Sequence, residues 1–318
     1  MRRTKLLLVI LLLSLLVSAF AGCSRSTGGD GSKDKTIRIS GAWALYPMMV
    51  KWAEEYRKLN PDIKIDISAG GAGKGVADAL AGLTDIGMVS RDIRTEEMNQ
   101  GAFAVAVVKD AVFPVMNADN PVAEKIRNRG IGRSSFIDLW IHGKRLTWGE
   151  LAQTSSNESV QVYTRSDSCG AAETWAAFLG GKKQEDLKGI GVYGDPGLGD
   201  AVRKDLYGVG YNNLNYAFDM KSGHPLKGLS IIPIDVNGNG RIDQEEMVDT
   251  KEKALKAVMS GTYPSPPARD LYLISKGRFT GRAKDFVAWI LKDGQAYVSE
   301  TASKSLSPTQ IANTFAKM

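Results

Sequence analysis

Val162-Tyr163-Thr164-Arg165-Ser166-Asp167-Ser168-Cys169-Gly170-Ala171-Ala172-Glu173 joins a short apolar run to a helical one through a cation, three small polar residues and a glycine. A strand that ends on a fixed cation and turns into a helix makes an anion pocket. The guanidinium of Arg165 is a planar fork of donors, and the first-turn amides add more, with the helix dipole behind them. A second turn of this kind lies upstream, at Ile65-Asp66-Ile67-Ser68-Ala69-Gly70-Gly71-Ala72-Gly73-Lys74-Gly75. Facing each other, two such turns would enclose a small oxyanion.

Strands and helices alternate on both sides of these turns. Residues 36–40 alternate as a strand, and 47–59 place Met48, Trp52 and Tyr56 on one helical face. A strand at 64–68, a short helix at 75–83 and a buried strand at 85–89 follow. The long apolar run to Met116, interrupted at Lys109-Asp110, is the candidate crossing between two lobes. Further strands are expected at 161–164, 229–234 and 271–275, and helices at 174–179, 185–187, 200–207 and 283–291. Tyr263-Pro-Ser-Pro-Pro267 is a rigid connector back to the first lobe. This rhythm predicts an α/β protein with parallel strands. The expected division is lobe 1 at 36–113 plus 266–318 and lobe 2 at 114–265.

The first 22 residues are expected to be a targeting segment. Arg2, Arg3 and Lys5 precede an apolar run, and Ala19-Phe20-Ala21-Gly22-Cys23 puts small residues before a cysteine. That ending resembles the lipobox of bacterial-type lipoproteins, with Phe20 where Leu is usual, and implies acylation of Cys23. An ordinary cleaved signal peptide or a signal anchor is the alternative. Residues 23–35 form a flexible tether rich in Gly and Ser. The formal charge of +6 falls to +3 without Arg2, Arg3 and Lys5, and no basic cluster with interleaved aromatics remains. Nucleic acid is therefore not an expected partner. With Cys23 acylated, Cys169 alone is left, so no intrachain disulfide is expected.

The landmarks, in their order, resemble the phosphate-binding lipoproteins of phosphate ABC importers. They include Ser40-Gly-Ala-Trp-Ala-Leu-Tyr-Pro47, the GGAGKG turn, Asp85-Ile-Gly-Met-Val-Ser-Arg91, and Lys109-Asp-Ala-Val-Phe-Pro114 with Asn120-Pro121. Ile141-His-Gly-Lys-Arg-Leu-Thr-Trp148, Arg165 to Gly170, Gly210-Tyr211 and Leu271-Tyr-Leu-Ile-Ser-Lys-Gly277 complete the set. The resemblance implies a two-lobed periplasmic-binding-protein fold, type II-like, with two chain crossovers and the ligand cleft between the lobes. It also implies phosphate as ligand, an ABC permease as partner, a monomeric extracytoplasmic protein held at the membrane by lipid, and no catalysis.

Several positions depart from the pattern of that family. Ala44 and Leu45 stand where a hydroxyl is usual in the first turn, and Ala72 where Ser is usual in the second. Ser90 aligns with the family's proton-accepting Asp, and Cys169-Gly170-Ala171 replaces Ser-Gly-Thr. Arg165 and the backbone donors around Leu45, Gly73 and Gly170 are kept, together with the Ser90 hydroxyl. A protonated oxyanion also needs an acceptor, since a buried unpaired O–H is costly. Asp167 or Glu173 could supply it, or act as helix N-cap and capping partner instead. Without an acceptor the site tilts toward sulfate, molybdate or tungstate.

Residues 235–246 match the twelve-residue calcium loop of EF-hands. Asp235, Asn237, Asn239, the Arg241 carbonyl, Asp243 and Glu246 fall at the oxygen-ligand positions, with Gly240 at the sharp turn and Ile242 pointing into the core. A structural Ca2+ is expected there, and an Asn-Gly turn with helix-capping acids is the alternative. A calcium-stabilised surface sensor or adhesion module is the competing function. Cys169 beside Arg165 offers the one enzyme hypothesis, a reactive thiol, but His142 and His224 show no relation to it. Lys74 lacks the spacing and following Ser or Thr of a nucleotide-binding loop.

Overall fold

The computed structural model describes residues 35–301, 304–305 and 308–317. The targeting segment, Cys23 and all of the tether but Lys35 lie outside the described residues. From Thr36 the chain forms one compact unit.

The chain opens as β1 (Thr36–Gly41), α1 (Tyr46–Leu59), β2 (Lys64–Ala69), α2 (Ala72–Leu80) and β3 (Ile86–Val89). Then α3 (Thr95–Asn99) leads into the long β4 (Ala102–Asn117). The middle of the chain runs α4 (Ala123–Arg129), β5 (Ile131–Gly132), α5 (Arg133–Trp140), α6 (Trp148–Ala152), β6 (Gln161–Arg165) and α7 (Gly170–Phe178). It continues through β7 (Ile190–Val192), α8 (Gly194–Lys204), β8 (Gly208–Asn213), α9 (Leu214–Ala217), β9 (Leu229–Ile231), β10 (Ile234–Asp235) and α10 (Lys251–Ser260). β11 (Ala268–Lys276), α11 (Gly281–Leu291), β12 (Lys304–Ser305) and α12 (Pro308–Lys317) end it.

One sheet runs in the order β2-β1-β3-β11-β4-β8-β6-β7. β1 is parallel to β2 and β3, and β6 to β7 and β8, each set joined through helices as parallel strands require. β4 and β11 run antiparallel between the two sets. All four residues of β3 are buried, as expected of a strand covered on both faces.

Two apolar cores lie along this sheet. One draws on residues between Ile37 and Val108 and between Leu271 and Val298, the other on residues between Ala111 and Ala268. The Lys109-Asp110 pair does not interrupt β4. It sits where the strand leaves one core for the other, in register with Asp270 and Arg269 of β11. Lys109 pairs with Asp270 at 2.5 Å and Asp110 with Arg269 at 3.2 Å. Charge pairing across the two strands holds them in register at these positions, and the register shifts by one residue just beyond, between Leu271 and Tyr272.

Three helix starts fall earlier than periodicity suggests. α2 begins at Ala72, because Gly71 at φ +90° provides a turn that an L side chain rarely adopts. Gly75 lies inside that helix, where a Cβ would strike the Met88 carbonyl oxygen and stand 3.0 Å from the Cα of Gly41, so the close approach to β1 and β3 requires glycine. α7 begins at Gly170, capped by Cys169, and α8 at Gly194, with Pro196 in its first turn where no amide partner is lost. The helix expected over 185–187 is a single 3-10 turn, Gln184–Asp186.

Candidate oxyanion site

β6 delivers Arg165 to the end of the sheet. Its neighbour Thr164 bonds the Tyr211 hydroxyl at 2.8 Å, and Tyr211 is fixed by stacking on Trp175 with ring centres 5.7 Å apart. The Arg165 side chain is fully enclosed. Its Nε and Nη2 donate to the two oxygens of Asp167 at 2.7 and 2.5 Å, and Nη1 donates to Asp195 Oδ2 at 2.6 Å. Burial opposes the guanidinium charge, but the charges of Asp195 and Asp167 outweigh it and raise the pKa. Among the described residues, three of the five N–H directions are taken, all by carboxylates.

Asp195 is the site residue that the sequence reading missed. It is buried in the first turn of α8, and its Oδ1 accepts from Asn213 Nδ2 at 2.7 Å and from the Asn213 backbone at 3.3 Å. Its only local signal was the Gly-Asp-Pro at 194–196, a common helix start.

The two glycine turns meet directly. Gly73 N–H donates to the Ser168 carbonyl at 3.2 Å, and Asp167 Oδ2 lies 3.0 Å from where a Cβ on Gly71 would stand. Gly170 packs on Ser90, leaving no room for a Cβ. Ala72, Gly73, Ser90, Arg165, Asp167, Cys169, Gly170 and Ala171 therefore gather where α2 and α7 begin. Ala44 and Leu45 form the buried turn ahead of α1. The Leu45 amide is bonded to Ala42 O at 3.2 Å, and Ala44 O accepts from Asn215 Nδ2 at 3.3 Å. The amides of Leu45 and Gly73 thus go to protein carbonyls in this arrangement, not toward a pocket.

Glu173 stands apart from Arg165. It meets Arg91 Nε at 2.6 Å and also pairs with Arg94, on the rim between the cores. At the other rim Trp43 sits edge-on to Tyr193, ring centres 6.3 Å apart. Among the described residues, the buried Trp43 Nε1–H and Asn215 Oδ1 have no hydrogen-bond partner. Cys169 caps α7 through its sulfur, and burial pushes its thiol up to about 12 despite Arg165. A groove of about 840 Å³ follows the flank of α7, walled by Arg91, Lys109, Glu173, Arg269 and Tyr272; Arg165 does not line it.

The 235–246 loop is tied to its lobe by parallel pairing of β10 with β5 and by Ile242 N–H donating to Asn128 O at 3.0 Å. Asp235 accepts from the amides of Gly238, Asn239 and Gly240, and Glu246 from those of Val236, Asn237 and Asp243. The side-chain amides of Asn237 and Asn239 both donate to Asp243 Oδ2, at 2.9 and 2.8 Å. Among the described residues, no three His, Cys, Asp or Glu side chains gather as a metal cage.

A mixed sheet with two apolar cores, two strands passing between them, and an enclosed arginine at the meeting of two glycine turns define a two-lobed binding protein. The chain belongs to the PBP superfamily, whose domain model matches residues 26–293. It is 27% identical over 302 residues to the phosphate-binding protein PstS of Bacillus subtilis, covering 91% of this chain and 89% of that one. Against PstS of Methanocaldococcus jannaschii identity is 27% over 301 residues, covering 83% and 73%. Among solved structures it is similar to a Clostridium perfringens protein described as a phosphate ABC transporter substrate-binding protein, with a TM-score of 0.69 at 22% identity. That match covers 86% of this chain and all of the other. An ABC-type phosphate transport receptor from Vibrio cholerae aligns with a TM-score of 0.60 at 18% identity, covering 85% and 100%. Both structural likenesses speak to the fold.

Proposed function

We propose that this chain is the monomeric, extracytoplasmic solute-binding protein of an ABC importer, held at the membrane through acylated Cys23, and that its cargo is inorganic phosphate. The observation that carries this is the enclosed Arg165 at the junction of the two glycine turns, read with the PstS names of its relatives. Phosphate suits the site better than sulfate, molybdate or tungstate because acceptors are present. Asp167 Oδ2 receives one bond from Arg165 and faces the glycine turn, and Asn215 Oδ1 has no partner among the described residues. A hydrogen phosphate has an O–H to give them; a fully ionised oxyanion would meet the same oxygens with nothing to donate. Glu173 does not compete for that role, since two arginines hold it on the rim. No chemistry on the cargo is part of the reading, because a thiol pushed up to about 12 stays protonated at neutral pH.

Calorimetric titration of ligand-stripped protein with phosphate, sulfate, molybdate and tungstate tests this. Phosphate alone is expected to bind, and Arg165→Ala to weaken it by at least about 3 kcal/mol, since that change removes the cation and leaves two buried carboxylates facing each other. Heat from sulfate or the metal oxyanions alone would reassign the cargo. Silence from all four would favour a surface sensor or adhesion module.

We also propose that 235–246 binds Ca2+ as a structural ion. Its support is the ligand spacing and the convergence of Asn237, Asn239 and Asp243 on one side of the loop. Calcium is expected to raise the thermal midpoint by several degrees, at about 0.6 kcal/mol per degree for a domain of this size, and Glu246→Gln to abolish the rise. An identical midpoint in calcium and in chelator would leave the loop as a plain capped turn.

A further inference from the structure

Arg269 belongs to neither glycine turn, yet it reaches the arginine site. It stands on β11 opposite Asp110 of β4, where both strands pass between the cores, and its side chain is 6% exposed. Nη2 donates to Asp110 Oδ2 at 3.2 Å and also to Asn213 Oδ1, and Nη1 donates to the carbonyl of Gly170, the first residue of α7, at 3.3 Å. With its oxygen taken, the Asn213 amide turns Nδ2 to Asp195 at 2.7 Å. Asp195 in turn holds Arg165 Nη1 at 2.6 Å.

A side-chain amide is nearly symmetric in shape, so its neighbours decide which end is oxygen. Arg269 offers donors only and Asp195 acceptors only, which leaves Asn213 one orientation. Without Arg269 the oxygen end of the amide loses its anchor, and the side chain that donates to Asp195 is held from that one end only. The carboxylate that grips Arg165 then rests on a donor free to shift.

We propose that Arg269 is a positioning residue for the oxyanion site: by fixing the Asn213 amide it keeps Asp195 on Arg165 and ties the site to the strands that join the two cores. Its effect on binding rests on the phosphate-carrier reading; its effect on Asp195 does not. The Nε–H of Arg269 is buried without a partner among the described residues, and burial lowers the pKa of the guanidinium even beside Asp110. A buried cation kept with one donor unmet costs stability, which packing alone gives no reason to retain.

Replacing Arg269 alone would strand the Asp110 charge, so the test compares Asp110→Asn with Asp110→Asn/Arg269→Met, which removes the buried pair together. By calorimetry with inorganic phosphate, the single variant is expected to bind within about threefold of the unmodified protein and the double variant at least about tenfold more weakly. Arg269→Lys in the Asp110→Asn background should recover part of the loss, because an ammonium can still donate to Asn213 Oδ1. A crystal structure of the double variant is expected to show Asp195 displaced from Arg165. Asp195 unmoved, or phosphate bound as tightly by the double variant as by the single one, overturns the proposal. If the unmodified protein takes up no phosphate, the carrier reading fails, and the position of Asp195 in that crystal structure decides this proposal by itself.

Discussion

At Asp110, burial pushes the carboxyl up to about 6, against the pull of Arg269 at 3.2 Å and with the Asp195 charge adding to the rise. A folded-state value above the unfolded one means that the native protein holds the proton longer. The stability it contributes is complete below about pH 4 and is lost as pH rises through about 6. Above pH 7 the ionised group costs on the order of 3 kcal/mol relative to acid conditions. Asp110→Asn has no such titration. Its unfolding free energy relative to the unmodified protein should therefore rise by about that amount between pH 4 and pH 7 and stay level above. Urea unfolding of both proteins across this range checks it, and a difference that does not change with pH would show that the buried pair does not titrate. At the same scale, Arg165 was legible because a cation set between an apolar run and a glycine is placed where a strand hands over to a helix, and an anion is the natural partner there. Asp195 and Arg269 were not. Each acts from a separate element 30 or more residues from its partner in sequence, and nothing local marks a side chain whose partner is supplied by topology.

Among the elements, those with strict periodicity were the most readable. β1 buries Ile37 and Ile39 around exposed Arg38, and α1 buries Met48, Trp52 and Tyr56 as their spacing predicts. Helix starts were harder to place, because α2, α7 and α8 each begin on glycine-rich sequence whose helical state depends on the neighbour it approaches. A Cβ at Gly170 would strike Ser90, and one at Gly75 would crowd Gly41, so these glycines answer to packing between elements rather than to helix propensity. Lys109-Asp110 interrupts the apolar pattern of the run read as one long strand, and nothing local explains a charged pair at that point. Here the partners Asp270 and Arg269 arrive from a strand about 160 residues away, and the ladder continues. The 235–246 loop shows the opposite case, a motif whose spacing alone was legible while its hydrogen bonds turn Asp235 and Glu246 onto their own loop amides.

For the whole molecule, the contacts between the regions of the two cores set how readily they come together. Gly73 meets Ser168, Ala44 meets Asn215, and Trp43 meets Tyr193; the charged member of this set is Glu173, held by Arg91 and Arg94. Arg91 is 7% exposed and keeps a second acid, Glu97, at 2.6 Å, so removing the Glu173 charge does not leave it unpaired. A partly buried pair of this kind contributes about 1–2 kcal/mol, more than an exposed pair and less than a fully desolvated one. If it acts only when the lobes meet, Glu173→Gln shifts the closed-to-open ratio by about tenfold toward open. Ligand affinity falls with the closed fraction, so phosphate should bind up to about tenfold more weakly, chiefly through faster release. Small-angle scattering of ligand-stripped protein should show a larger radius of gyration for the variant. The gap should narrow as salt weakens the same pair in the unmodified protein. An unchanged affinity together with an unchanged radius would mean that the apolar and backbone contacts hold the lobes together without help from the rim.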